Sequence, residues 1–427
     1  MRRNNAPRQL DFRNKLILNQ WLISLFGVDP LREHRVGGRV VRPIHVLAEP
    51  IRDPSLEGLD ESNIHRFYRS LVQGTLLTNE NAKLTPEQLL AYEENIVRHT
   101  QHINQKRHRP ITWKYHQWLT LLFTEIYLDR YFNDRAGLLA ELNAFVESFN
   151  RKWDAFADVP PYAEDDLNKI CYQNATGSGK TLLMHVNLLQ FQHYAKQAGQ
   201  EDVLSRVILL TPNERLTEQH LKEFVQSGID AENYVAGRGG LFAQASGLRR
   251  VDVMEITKLA DQDGPNTVAT RSLGDQNMLL VDEGHRGMSG KDEGAWVMRR
   301  NMLCAKGFTF EYSATFAQAV AAASDINVEN AYAKSILFDY SYRYFYEDGF
   351  GKDYQILNLS KSFEHTCQVY LTACLLKFYQ QLRIYEDHKA DFTQFNIEKP
   401  LWVFVGSSVT KAAGSQDERK VASDVAQ

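Results

Sequence analysis

Apolar and polar positions change rhythm twice along the chain. From Phe12 to Phe26 apolar residues recur at helical spacing until Gly27 and Pro30, which predicts an amphipathic helix ending there. The rest of residues 1–110 reads as an N-terminal extension of mixed, largely helical segments and loops without a chemical signal. The polar, basic stretch Arg98 to Pro110 reads as a solvated boundary, because no carboxylate or cysteine joins its histidines in a metal site. Beyond it, Trp118, Leu121, Leu122, Glu125 and Leu128 fall three or four apart, predicting a helix over 113–132; a second follows over 136–156.

After the acidic run Glu164 to Asp166, short apolar strands alternate with amphipathic helices. The predicted strands are Lys169–Gln173, Arg206–Thr211, Val251–Ile256, Asn277–Asp282 and Gly307–Tyr312. That alternation is the signature of an α/β fold, a mostly parallel sheet with helices on both faces. A long helix over 363–384 and a fresh strand, Leu401–Gly406, come later.

Composition narrows the class without naming a function. A chain of 427 residues with 49 Lys and Arg against 53 Asp and Glu has a net charge of −4. Its length allows about two or three domains. A disordered chain, a collagen, a coiled-coil rod and a histone-like polycation are excluded, while a local basic surface for nucleic acid is not. Cys171, Cys304, Cys367 and Cys374 form neither a disulfide framework nor a CxxC zinc site, and read as buried thiols of a reducing compartment. No run reaches the roughly 18 apolar residues of a spanning helix, and the N-terminus lacks a signal-peptide pattern. The expectation is a cytoplasmic protein without membrane contact.

Chemistry enters at Asn174-Ala-Thr-Gly-Ser-Gly-Lys-Thr181, between a predicted strand and the predicted helix Leu182–Tyr194. In that context Gly177 and Gly179 let the backbone wrap an anion with its N–H groups inward, and the helix N-terminus adds positive charge. Thr176, Gly177, Ser178, Gly179, Lys180 and Thr181 are therefore the candidate residues for binding a nucleoside triphosphate. Lys180 reaches the β- and γ-phosphates and Thr181 gives its hydroxyl to magnesium. Asn174 stands where the general pattern has Gly.

A second apolar strand ends in Asp282-Glu-Gly-His285, with Asp282 lying 102 residues after Lys180. Asp282 is placed to hold magnesium through water, and Glu283 to orient and deprotonate the attacking water. Ser313-Ala-Thr315 follows 31 residues after Asp282, at the end of another strand. Ser313, Thr315 and His285 could hydrogen-bond and transmit nucleotide state. No Leu-Ser-Gly-Gly signature precedes the acidic pair, so a transporter ATPase is disfavoured. A P-loop kinase need not carry the other two motifs.

Thr-Gly-Ser-Gly-Lys-Thr, Asp-Glu-Gly-His and Ser-Ala-Thr, in this order and spacing, resemble motifs I, II and III of superfamily-two DEAD/DEAH-box helicases. The wording Val281-Asp-Glu-Gly-His-Arg-Gly287 is most similar to the helicase (Res) subunit of type III restriction enzymes. The resemblance covers about 113–407. It implies a RecA-like ATP-binding domain over 111–350, after the extension 1–110, with a connector helix and the start of a second RecA-like domain over 351–427. It implies ATP and magnesium as cofactors and nucleic acid as partner, DNA in the leading reading, with a modification or specificity subunit or another defence protein beside it. Leu209-Leu-Thr-Pro-Asn213 resembles motif Ia and Glu255-Ile-Thr-Lys-Leu259 motif Ib, which implies nucleic-acid contacts by Thr211, Pro212, Thr257 and Lys258. Tyr115-His-Gln117 resembles the aromatic-plus-Gln motif that reads adenine.

The strand at 401–406 resembles motif IV, and fewer than 30 residues follow it. No motif V, arginine-finger or PD…ExK nuclease pattern follows; Gln244 to Arg250 matches an arginine motif only superficially, and Arg249 and Arg250 could instead face DNA. The expectation is a truncated motor that binds ATP–magnesium weakly and hydrolyses it slowly or not at all on its own. An RNA helicase, and a non-catalytic half-motor that regulates a partner, are the alternatives.

Overall fold

The structure is a computed structural model that describes residues 10–351 and 364–403, apart from 75, 155, 157, 235–247, 263, 265–266, 287, 289–292 and 394–396; at 293, 295 and 364–368 only the backbone is described. The chain divides into two compact units, Met1–Gly351 and Lys352–Gln427.

The first unit opens with α1 (Ile17–Ser24), the hairpin of β1 (His34–Val36) and β2 (Arg39–Val41), α2 (Pro43–Ala48), α3 (Arg66–Gln73) and α4 (Pro86–Asn104). Thr85 starts α4 with a reciprocal cap: its Oγ1 accepts from Gln88 N, and Gln88 Oε1 accepts from Thr85 N. Pro86 sits at the first helical position, where no N–H is needed. Residues 98–110, expected as a solvated boundary, are instead the last two turns of α4 and a short loop. The reason is the buried stripe of Ile96, Thr100 and Ile103, which draws a polar-looking helix onto the core.

Next come α5 (Tyr115–Asn133) and α6 (Arg135–Trp153), at the two predicted helices. The α/β part follows: β3 (Lys169–Asn174), α7 (Lys180–Gln197), β4 (Arg206–Thr211), α8 (Glu214–Gln226), β5 (Ala231–Asn233) and β6 (Val251–Glu255). After the short pair β7 (Leu259–Ala260) and β8 (Val268–Ala269) come β9 (Asn277–Asp282), α9 (Glu293–Leu303), β10 (Phe308–Ser313), α10 (Phe316–Ala323), α11 (Ile326–Ser335), β11 (Ile336–Tyr340) and α12 (Tyr342–Glu347). The five predicted strands are present within one residue of their expected bounds.

Seven strands form one sheet in the order β11-β3-β10-β9-β4-β6-β5, and every pairing is parallel. Side chains alternate between its faces. Tyr172, Val207, Leu209, Met278, Leu280, Phe308 and Phe310 enter a core shared with the N-terminal helices through Trp21, Phe67, Ile96 and Trp118. Ile208, Leu210, Leu279 and Val281 face the other way, onto Leu303 and the β7–β8 region. Both faces are thus covered, as a parallel sheet requires. The registers bring Asn174, Asp282 and Ser313 within two residues of one another at the carboxyl edge, where such sheets place ligands.

The second unit contains α13 (Glu364–Asp387), matching the long predicted helix, and α14 (Lys389–Thr393). Residues 401–403 carry no regular structure and 404–427 lie outside the described residues, as does the second half of the expected strand Leu401–Gly406.

Candidate nucleotide-binding site

β3 delivers the chain to a tight bend before α7. Gly177 and Gly179 adopt φ of +86° and +91°, a region that residues with a Cβ rarely enter. Space is short as well: a Cβ on Gly179 would lie 2.5 Å from Gln117 Nε2. Gln117 braces the loop, donating to Ser178 O at 2.8 Å while its Oε1 accepts from Lys114 N at 2.9 Å. The residue expected to read adenine is therefore hydrogen-bonded to the phosphate loop itself.

Lys180 opens α7, and its ammonium donates to Asn174 O at 3.1 Å and Ala175 O at 3.4 Å. Burial lowers its pKa, while Glu283 and then Asp282 pull it back up. Lys180 thus feels the charge of both carboxylates of the acidic turn. A desolvated cation at the N-terminus of a helix is the kind of site that a triphosphate stabilises. Ser178 Oγ and both polar atoms of the Asn174 side chain are buried without a protein partner, which fits a loop that takes its remaining hydrogen bonds from a ligand or water. Thr181 occupies the first turn of α7, beside Lys180.

β9 ends in Asp282, whose Oδ1 accepts from Glu283 N at 3.0 Å. Glu283 has φ of +52°, a strained setting for a residue with a side chain. Three bonds hold the turn in that shape: Gly284 N to Tyr312 O at 2.9 Å, Arg286 N to Glu283 O at 3.0 Å, and Arg300 Nη1 to Gly284 O at 2.9 Å. Gly284 allows this close approach, because a Cβ there would stand 3.0 Å from Glu311 Cβ and 3.3 Å from Phe316 Cζ. Below the turn, Glu311 is buried among Lys169 (3.0 Å), Arg300 (3.7 Å) and the Tyr332 hydroxyl (2.7 Å). Burial would raise the Glu311 pKa, but the two cations outweigh it and keep the carboxyl below its ordinary range.

His285 joins two motifs. Its Nδ1 lies 2.8 Å from Ser313 Oγ and 3.3 Å from Glu283 Oε2, and Ser313 Oγ accepts from Thr315 N at 3.0 Å. The acidic turn and the start of α10 are thus one hydrogen-bonded unit. Gln173 ties in the neighbouring edge, accepting from Ala317 N at 2.7 Å and donating to Asp339 at 2.9 Å.

The residues expected to touch nucleic acid are placed differently. Thr211 is buried, with its hydroxyl 2.6 Å from Thr217 Oγ1, and Pro212 is buried beside it. Both line a small cavity with Asp282, Glu283 and Arg286. Thr257 is exposed and Lys258 half-buried, on a short turn after β6; the Thr257 hydroxyl donates to Glu255. Arg250 pairs with Glu232 at 3.0 Å and Asp252 at 3.5 Å, while Gln244 lies outside the described residues. His220 on α8 was not anticipated: its Nε2 lies 3.0 Å from Asp282 Oδ2. A single histidine within an amphipathic helix gives no sequence signal.

Among the described residues no helix is long and apolar enough to cross a membrane. Residues 140–318 match the family model of the type III restriction enzyme res subunit. That span holds the phosphate loop, the acidic turn and the Ser313–Thr315 segment, so over these residues the chain is similar to that family. No curated protein matches the chain.

Proposed function

We propose that this domain, similar to the type III restriction enzyme res subunit over 140–318, is the ATP-binding half of a nucleic-acid translocase or helicase, acting on DNA and serving restriction or phage defence. One observation carries the reading: Lys180, Asp282, Glu283, His285 and Ser313 converge at a single carboxyl edge of the sheet, joined by hydrogen bonds or by charge. In the proposed roles Lys180 and the loop amides hold the phosphates, and Thr181 and Asp282 hold magnesium. Bound magnesium neutralises charge on the β- and γ-phosphates. Glu283 accepts the proton of the attacking water, from a backbone setting that the Gly284 and Arg300 bonds keep fixed. His285 and Ser313 pass the state of that turn to α10. The turn at Thr257 and Lys258 offers an ammonium to a phosphate backbone, and the Thr257 hydroxyl joins it by exchanging Glu255 for a phosphate oxygen, a contact without sequence readout.

Fluorescence anisotropy with labelled single-stranded DNA, duplex DNA and RNA of equal length, each with and without ATP–magnesium, tests the polynucleotide assignment. The proposal expects DNA to bind, with an affinity that nucleotide changes and that falls as salt rises. Preference for RNA would move the function to an RNA motor, and no binding to any of the three would contradict it.

A further inference from the structure

Asp282 has a second anchor besides its own turn. His220 Nε2 lies 3.0 Å from Asp282 Oδ2, and the two side chains are only 3% and 12% exposed. An ionised carboxylate can only accept, so the proton of this bond sits on Nε2. The other ring nitrogen is buried without a protein partner, so the histidine makes its polar contact with Asp282.

The position of His220 is set from further away. Thr217, His220, Phe224 and Ser227 recur three or four apart along one buried side of α8 and its C-cap. Phe224 stacks on His185 at 4.2 Å and 19°, and His185 Nδ1 lies 2.8 Å from Ser227 Oγ. Arg107, from the loop after α4, donates to the same Ser227 Oγ at 2.8 Å and to Glu223 at 3.2 Å. The N-terminal extension thereby clamps the end of the helix that carries His220.

We propose that His220 is a positioning residue for the metal-binding carboxylate Asp282, and that Arg107 fixes the register of α8 that delivers it. The inference rests on the nucleotide-site reading above. With Oδ1 on Glu283 N and Oδ2 on His220 Nε2, the carboxylate is oriented before metal arrives, and its remaining lone pairs point in fixed directions. Without His220, Oδ2 loses this partner and the side chain is free to turn. A metal would then have to order the carboxylate itself.

The test measures metal rather than turnover. Manganese binding to the full chain is followed by electron paramagnetic resonance with ADP present, and a fluorescent ADP analogue is titrated in EDTA as the metal-free control. His220→Ala is expected to need roughly 10- to 100-fold more manganese at the midpoint, the usual cost of losing a group that orients a metal ligand. Its nucleotide affinity in EDTA should equal that of wild type. His220→Gln, whose amide can carry an N–H to the place of Nε2, should recover most of the loss; His220→Asn, too short to do so, should not. Arg107→Ala should move the midpoint in the same direction by less. An unchanged midpoint in His220→Ala overturns the inference, and so does a Gln variant no better than Asn, a comparison that also decides if the Ala variant does not fold. Failure of the underlying reading looks different, since wild type itself would then bind no manganese with ADP.

Discussion

Glu125→Gln should stabilise the protein above pH 7 and flatten its response to pH. Glu125 lies on α5 with no exposure to solvent. Its Oε1 accepts from Gln190 Nε2 at 2.7 Å, and its Oε2 from the Tyr194 hydroxyl at 2.7 Å and Asn95 Nδ2 at 2.9 Å. Those donors favour the ionised form, yet burial outweighs them and pushes the pKa from 4.5 up to about 7. A carboxyl raised in this way contributes stability below pH 4.5, and that stability is lost as pH rises through about 7. At about 1.4 kcal/mol per pKa unit the loss is about 3 kcal/mol, of which about 2.5 falls between pH 5 and 8. Buried histidines work in the opposite sense: burial holds His99 and His116 at about 3, so each costs stability as pH falls below 6.5. Subtracting the Glu125→Gln curve from that of wild type cancels them. Urea unfolding at pH 5, 6, 7 and 8 should show the variant gaining on wild type by about 2–3 kcal/mol across the range. Parallel curves would refute the assignment of a neutral Glu125 in the folded state. The site has a stake in this contact, because Gln190 and Tyr194 belong to the helix that Lys180 begins.

Three further outcomes follow from the same geometry. Glu283→Gln should keep nucleotide affinity and remove whatever hydrolysis the chain performs, measured as phosphate release beside equilibrium binding. Gly284→Ala forces a methyl group against Glu311 and Phe316; urea unfolding should show a loss of about 1–3 kcal/mol, and phosphate release should fall more than binding. His116→Phe preserves a ring stacked 3.8 Å from Tyr340 and removes the base, so its unfolding free energy should fall less than that of wild type between pH 6.5 and 4.

The strands that carry the site were legible because each is a short apolar run ending in a chemical group. Asp282 and Ser313 stand at the carboxyl ends of β9 and β10, so the pattern that marks the strand also marks the residue. β11 was not legible: Ile336–Tyr340 follows α11 without a break, and Asp339 interrupts its apolar run. β5 is three residues, Ala231–Asn233, too short and polar for periodicity to register. The burial of Thr211 was hidden because its neighbour Thr217 comes from the following helix. His220 and Arg107 were hidden for the same reason, since their roles exist only where α8 crosses other elements. The polar stretch at 98–110 misled because composition averages over a helix whose single buried stripe decides its place.

The central claim is that the bend at Lys180 holds a triphosphate whose metal is shared with Asp282. The most direct measurement is equilibrium titration of a fluorescent ATP analogue with magnesium into the wild-type chain and Lys180→Ala. The account predicts saturable binding to wild type and an affinity roughly 100-fold weaker in the variant, the cost of a charge-assisted phosphate contact. Equal affinity in the two proteins would contradict it.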